Sequence, residues 1–189
     1  VAFYELPIAF DALTIAVHND NDWAKHITTA ELKKIWEPSA RGVVMRWNQV
    51  RKSWPDRPLT LYGAGSDSGT FDYFTEAIMH KAKSQRGDYT ASEDDNVLIQ
   101  GLSKDLNALG YVPYSYYAGN ETLLKAIPVD HGQGGAVMPT KEHVVGGSYV
   151  PLSRPLFVYV NATSLARADV AKLLQFYLTE ASPYIEEVN

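Results

Sequence analysis

Residues 59–79, LTLYGAGSDSGTFDYFTEAIM, run from a β-prone step through a loop that is nearly all backbone into an apolar pattern of helical spacing. Leu59-Thr60-Leu61-Tyr62 reads as a strand, and 63–69 holds three glycines and two serines. From Thr70 onward Phe71, Phe74, Ile78 and Met79 recur as one helix face. A loop so poor in side chains exposes its N–H groups. The first N–H groups of a helix have no partner within it, and the aligned peptide dipoles place about half a positive charge there. Strand, Gly/Ser loop, helix is therefore the order an oxyanion site requires. Ser68 and Thr70 add hydroxyl donors, and Gly69 lets the backbone approach closely. Asp67 would accept a hydrogen bond from a protonated phosphate oxygen and would repel sulfate, which has no proton to give. The same residues also suit a plain N-cap at Ser68 with a tight glycine turn. At this level both readings stand.

Better-known loops fit less well. Gly63-x-Gly65 with Gly69 resembles a relaxed dinucleotide fingerprint, but that motif needs a βαβ unit with an acid ending its second strand. Residues 84–95, SQRGDYTASEDD, are expected to be loop, too polar for that strand. No Lys follows the loop in P-loop fashion. A nucleophile elbow needs a serine midway between its glycines, and here Asp67 occupies the middle. A phosphate-ester hydrolase or transferase built on Ser68 would need a base or metal nearby, and no His lies close in sequence.

The rest of the chain alternates strands with helices, which predicts an α/β fold. Leu13-Thr14-Ile15-Ala16-Val17 is a strand bounded by Asn19-Asp20-Asn21-Asp22. Thr28-Thr29-Ala30-Glu31 opens a helix with capping-box spacing; Leu32, Ile35 and Trp36 form its apolar side and Pro38 closes it. Residues 96–106 read as a helix with Val97, Ile99, Leu102 and Leu106 as contacts, and Glu93-Asp94-Asp95 as its acidic start. Gly110-Tyr111-Val112 and residues 123–129 read as strands, 139–145 as a short helix stopped at Gly146-Gly147. Residues 156–160 are the most β-prone run, and 167–180 an amphipathic helix. No repeat or low-complexity segment interrupts this order.

Composition narrows the function further. A chain of 189 residues, 46% apolar and 21% charged, buries a real core. The formal net charge of −5 and the lack of a basic run argue against nucleic acid; the densest positive stretch, 46–57, is interleaved with Trp47 and Trp54. An anion bound here is held by local dipoles. There is no cysteine, and His18, His26, His80, His131 and His143 are scattered without metal-ligand spacing, so no metal or cofactor is expected. No apolar run reaches the roughly 20 residues of a membrane-spanning helix. Tyr114, Tyr116 and Tyr117 are expected in hinge or core packing, Arg154 in a structural role, and the four tryptophans as anchors, with Trp47 and Trp54 in a region suited to a partner surface. The sequence opens as if inside a strand, without Met or signal pattern, and reads as an internal piece of a longer polypeptide.

Four stretches taken together point to one family. Asp11-Ala12-Leu13-Thr14-Ile15-Ala16-Val17, then Ser68-Gly69-Thr70-Phe71-Asp72-Tyr73-Phe74, then Ala108-Leu109-Gly110-Tyr111-Val112-Pro113-Tyr114, then Tyr149-Val150-Pro151-Leu152-Ser153-Arg154-Pro155-Leu156 resemble, in order, the PstS-type phosphate-binding proteins of bacterial ABC importers. The resemblance runs through essentially the whole chain. It implies a periplasmic-binding-protein-like two-lobed fold, type II-like, of which this chain carries one complete α/β lobe and part of the other. Residues 1–8 would be the outgoing hinge strand, 9–150 the second ligand-binding lobe, and 151–189 the return into the first. It further implies capture of inorganic phosphate and its delivery to a membrane permease, without catalysis, in the periplasm or at the cell surface. An N-terminal segment of the same polypeptide, with another phosphate loop, would complete the site. Ser68, Gly69 and Thr70 match the family's donors to phosphate. The best-studied members place an Arg four residues before that Ser, and here the position is Ala64, which opens the alternative of a receptor for another small oxyanion.

Overall fold

The computed structural model describes residues 2–180. In chain order it contains β1 (Phe3–His18), β2 (Ile27–Thr28), α1 (Thr29–Trp36), α2 (Trp47–Val50), β3 (Thr60–Ala64), α3 (Gly69–Met79), β4 (Thr90–Ser92), α4 (Asp95–Lys104) and β5 (Ala108–Pro113). It continues through α5 (Tyr114–Ala118), β6 (Leu124–Ala126), β7 (Val129–Asp130), β8 (Ala136–Val137), α6 (Lys141–Val145), β9 (Ser153–Asn161) and α7 (Ala168–Thr179). The expected α/β class is the one observed. The chain divides into two compact units, Ala12–Ser153, and Val1–Asp11 together with Arg154–Asn189.

Within Ala12–Ser153 the main sheet runs β4-β3-β5-β1-β6. β3 is parallel to both β4 and β5, while β1 is antiparallel to β5 and β6. Successive side chains of a strand point to opposite faces, and the packing follows that period. Leu13, Ile15 and Val17 of β1, Leu61 of β3, and Leu109 and Tyr111 of β5 join the cluster containing α1 and α3. Ala16, Ala108 and Val112 join Leu98, Ile99 and Leu102 of α4 on the other face, with Tyr62 packed against them. The result is a sheet between two helical layers. A second small sheet, β2-β7-β8, flanks it.

The α1 start is as the sequence predicts. Thr28 Oγ1 accepts the Glu31 N–H at 3.1 Å, and the Glu31 carboxylate accepts the Thr28 N–H at 2.9 Å. Leu32, Ile35 and Trp36 are buried. Trp36 makes edge contacts with Phe74, Tyr89 and Tyr111, and Phe74 stacks on Tyr111 with centroids 3.8 Å apart. Behind this cluster lies a buried cation. Arg86, 2% exposed, donates to the carbonyls of Ile35 and Val44 at 3.1 and 2.8 Å and to both Asp88 oxygens. It ties the end of α1 to the loop after it, and each of its bonds offsets part of the cost of burying the charge.

Several expectations change. Residues 90–92 form β4, parallel to β3, so the 84–95 segment is not wholly loop. It reads as polar because β4 is a three-residue edge strand whose side chains meet solvent. Residues 123–129 are two strands rather than one: β6 pairs with β1 and β7 with β2, with Pro128 between them. On α4, Leu98 is buried and Val97 is exposed. Trp47 and Trp54 are buried, stacked edge-on in a row with Trp23, so neither offers a partner surface. Tyr117 packs against the α4 cluster and Tyr114 against the larger one, while Tyr116 is exposed.

In the smaller unit β9 pairs with β1. Arg154 donates through Nε and Nη2 to Asp11 Oδ2, both at 3.1 Å. Phe3 meets Tyr159 edge-on. Among its described residues Val160 is the buried apolar side chain, and Leu173, Phe176, Tyr177 and Leu178 of α7 are exposed.

Candidate functional site

Parallel strands end on one edge of a sheet, and the topology of the main sheet singles out one point on that edge. β3 sends the chain through α3 to β4 on one side, whereas β5 sends it through α5 to β6 on the other. The connections therefore diverge at the carboxyl ends of β3 and β5. In open α/β sheets ligands bind in the crevice at such a switch point. The segment leaving β3 there is the Gly/Ser loop, and Pro113-Tyr114 is the segment leaving β5.

The loop forms as follows. The Gly65 N–H donates to Ser92 O at 3.0 Å, extending the β3–β4 ladder one residue past β3. The Ser68 N–H returns to Gly65 O at 3.1 Å, closing a turn over Ser66 and Asp67. Ser68 is the N-cap of α3, in extended conformation, and its Oγ accepts the Thr70 N–H at 3.1 Å. Thus the plain N-cap described from sequence is present. It does not consume the helix start. The N–H groups of Gly69 and Phe71 have no acceptor among the described residues, and a hydroxyl that accepts from Thr70 keeps its own hydrogen to donate. Space at Gly69 is open: a Cβ there would meet nothing within 4 Å.

The structure brings Asp67, Ser68, Gly69 and Thr70 into one turn and helix start. Asp67 and Gly69 are exposed, Ser68 and Thr70 half-buried. Ala64 is 1% exposed and its carbonyl accepts the Tyr89 hydroxyl at 3.0 Å, so position 64 belongs to the core. Acids surround the loop. Asp72 lies in the first turn of α3, with the Lys83 ammonium 4.0 Å from its carboxylate. Glu93, directly after β4, accepts the Asp67 N–H at 3.2 Å. Sequence reasoning assigned Glu93 to the start of α4. That role falls to Asp94, whose carboxylate accepts the Asn96 N–H at 2.9 Å. The pairing of Glu93 with the loop depends on β4 lying beside β3, for which the sequence carries no signal.

The observed βαβ unit, with Glu93 after its second strand, removes the ground on which the dinucleotide fingerprint was set aside. A different ground replaces it. Gly63 lies inside β3, opposite Ala91, rather than in the turn. Its missing side chain serves packing, since a Cβ would stand 2.6 Å from the buried Tyr111 ring. Burial pushes the Tyr111 hydroxyl well above the usual range. Burial likewise raises Tyr89, and the nearby Glu93 charge adds to it. No group of three or more His, Asp or Glu able to hold a metal occurs among the described residues.

A family model described as a PBP superfamily domain matches residues 2–181. The chain belongs to the PBP superfamily. This PBP-superfamily chain is 52% identical along its whole length to the protein named SphX of Synechocystis sp., of which it covers 56%. It is 34% identical to the protein named phosphate-binding protein PstS of Staphylococcus haemolyticus, covering all of this chain and 58% of that one. Among solved structures, a possible phosphate binding protein from Planctomyces limnophilus matches with a TM-score of 0.92 and 44% identity, over 100% of this chain and 66% of that one. The chain spans a little over half the length of these curated relatives.

Proposed function

We propose that the 63–70 loop is a phosphate-binding element, with Ser68, Gly69 and Thr70 as donors and Asp67 as acceptor of a phosphate proton. The observation that carries this reading is the placement of a helix N-terminus whose Ser68 cap leaves the Gly69 and Phe71 N–H groups without acceptors among the described residues, with two hydroxyls beside them, at the switch point of the sheet. The names of the relatives support the choice of phosphate among oxyanions. For the longer polypeptide the function is capture of inorganic phosphate and its delivery to the membrane permease of an ABC importer, outside the cytoplasm. On this reading residues 1–8 are the outgoing crossing, 9–150 the second ligand-binding lobe and 151–189 the return, and a further segment of the polypeptide supplies the other wall. On this reading the polypeptide binds and releases phosphate without catalysis.

Ala64 favours a second reading, a receptor for another small oxyanion, because the bidentate cation expected at that position is replaced by a core methyl. Titration of the 189-residue chain with phosphate, and separately with sulfate, while following backbone amides by heteronuclear NMR separates the two. Phosphate-selective shifts centred on Ser68, Gly69 and Thr70 are expected, at an affinity of about millimolar for a partial site. Equal response to sulfate would remove the role of Asp67 and favour the second reading.

A further inference from the structure

Glu93 is exposed, yet it and its neighbour are committed to the Gly/Ser loop. Ser92 O accepts the Gly65 N–H, and one residue on, Glu93 Oε1 accepts the Asp67 N–H at 3.2 Å. The carboxylate also lies directly over Gly65, where a Cβ would stand 2.6 Å from Glu93 Cδ. With the Ser68-to-Gly65 bond closing the turn, the N–H groups of residues 65, 67 and 68 are each tied before α3 begins. The next donors, Gly69 and Phe71, are left without acceptors among the described residues. The two ends of the loop are therefore held by different elements, the first half by the β4–α4 junction and the second by α3.

We propose that Glu93 is a positioning residue of the anion loop. Its carboxylate, carried on the strand parallel to β3, fixes the 65–68 turn so that Ser68, Gly69 and Thr70 are presented already ordered. Binding then need not fix a loose glycine-rich segment, whose ordering would otherwise subtract from affinity. Such pre-organisation matters more here than where an Arg at position 64 could attract the ligand, because neutral donors gain most from being held in place. Gly65 is glycine because the carboxylate occupies the space of its side chain. The ligand half of this inference rests on the phosphate reading above; the loop half does not.

The test uses the 189-residue chain and the variants Glu93→Ala, Glu93→Gln and Gly65→Ala. Without ligand, amide exchange at Asp67 should quicken about tenfold in Glu93→Ala and stay near wild type in Glu93→Gln, whose side-chain oxygen keeps the bond. Gly65→Ala, which pushes the carboxylate away from the other side, should behave as Glu93→Ala does. Phosphate affinity should fall about fivefold in Glu93→Ala and Gly65→Ala and return to within about twofold in Glu93→Gln, because rescue needs the acceptor and not the charge. Unchanged Asp67 exchange in Glu93→Ala overturns the proposal. So does tighter phosphate binding in both Glu93 variants, which would make the carboxylate a repelling charge. Because exchange is read with no ligand, a wild-type chain silent to phosphate sinks the phosphate reading while the exchange result still decides Glu93.

Discussion

At Ser68 and Gly69 the capping and binding readings of the loop make different demands. Ser68→Ala removes the acceptor of the Thr70 N–H and should cost about 1 kcal/mol in urea unfolding whether or not the loop binds anything. Gly69→Ala adds a methyl that touches nothing at the first residue of α3, and stability should stay within about 0.5 kcal/mol. If the loop takes phosphate, that methyl stands in the ligand's approach, and the phosphate-induced NMR shifts should be lost from a fully folded variant. Loss of binding without loss of stability is what a cap alone would not produce. A different residue contributes to the dependence of stability on acid. The hydrogen bonds from Arg86 hold the Asp88 carboxyl at about 2, against 3.8 for the free group. Its contribution is complete above pH 4 and is lost as pH falls towards 2, because the folded state gives up a charge it stabilises. With the side chain 26% exposed, solvent screening trims the effect to about 1 kcal/mol. Urea midpoints at pH 7, 4 and 2.5 should fall more steeply in wild type than in Asp88→Asn. Arg86 itself carries more: Arg86→Met strips the donors from two buried carbonyls and from Asp88, and should cost about 3 kcal/mol at neutral pH.

At the scale of the element, what could be read depended on whether an element carries its own signal. The capping box of α1 and the apolar face of α3 are local, and both form as the spacing predicts. β4 has no such signal. Thr90–Ser92 is a strand only because β3 offers it a parallel edge, and its polar side chains suit the solvent it faces. Residues 123–129 err the other way: their composition is continuous, but β6 and β7 answer to different partners. The glycine of β3 shows the same dependence. Gly63 looks from sequence like part of the loop, yet it is a strand position emptied for the Tyr111 ring, which Trp36 and Phe74 hold in place. Gly63→Ala should therefore destabilise by about 1–3 kcal/mol through overpacking, in contrast to the neutral Gly69→Ala. Thermal unfolding of the two alanine variants side by side checks this, and similar losses in both would contradict the assignment of Gly63 to packing.

For the whole molecule, every residue of both apolar clusters falls between Ala12 and Leu152. The ends of that unit are joined: the Leu13 N–H donates to Leu152 O, and the buried Tyr149 hydroxyl donates to Leu13 O, each at 2.8 Å. A polypeptide of residues 12–153 should therefore unfold cooperatively and keep the near-ultraviolet dichroism of the Trp36–Phe74–Tyr111 cluster. A broad transition without that signal would mean that the unit depends on the rest of the chain. What the sequence determined by itself was local or periodic: the α/β alternation, the α1 cap, the helix after the Gly/Ser loop, and the candidate donors Ser68, Gly69 and Thr70. These follow from spacing along one chain, where hydrogen bonds and side-chain faces repeat at fixed intervals. Which carboxylate meets the loop, which glycine serves packing and which serves approach, and the place of the loop at the divergence of β3 and β5 were decided only by tertiary structure. Each depends on which strands lie side by side, and that choice is made by burial of both sheet faces at once rather than by any stretch of residues.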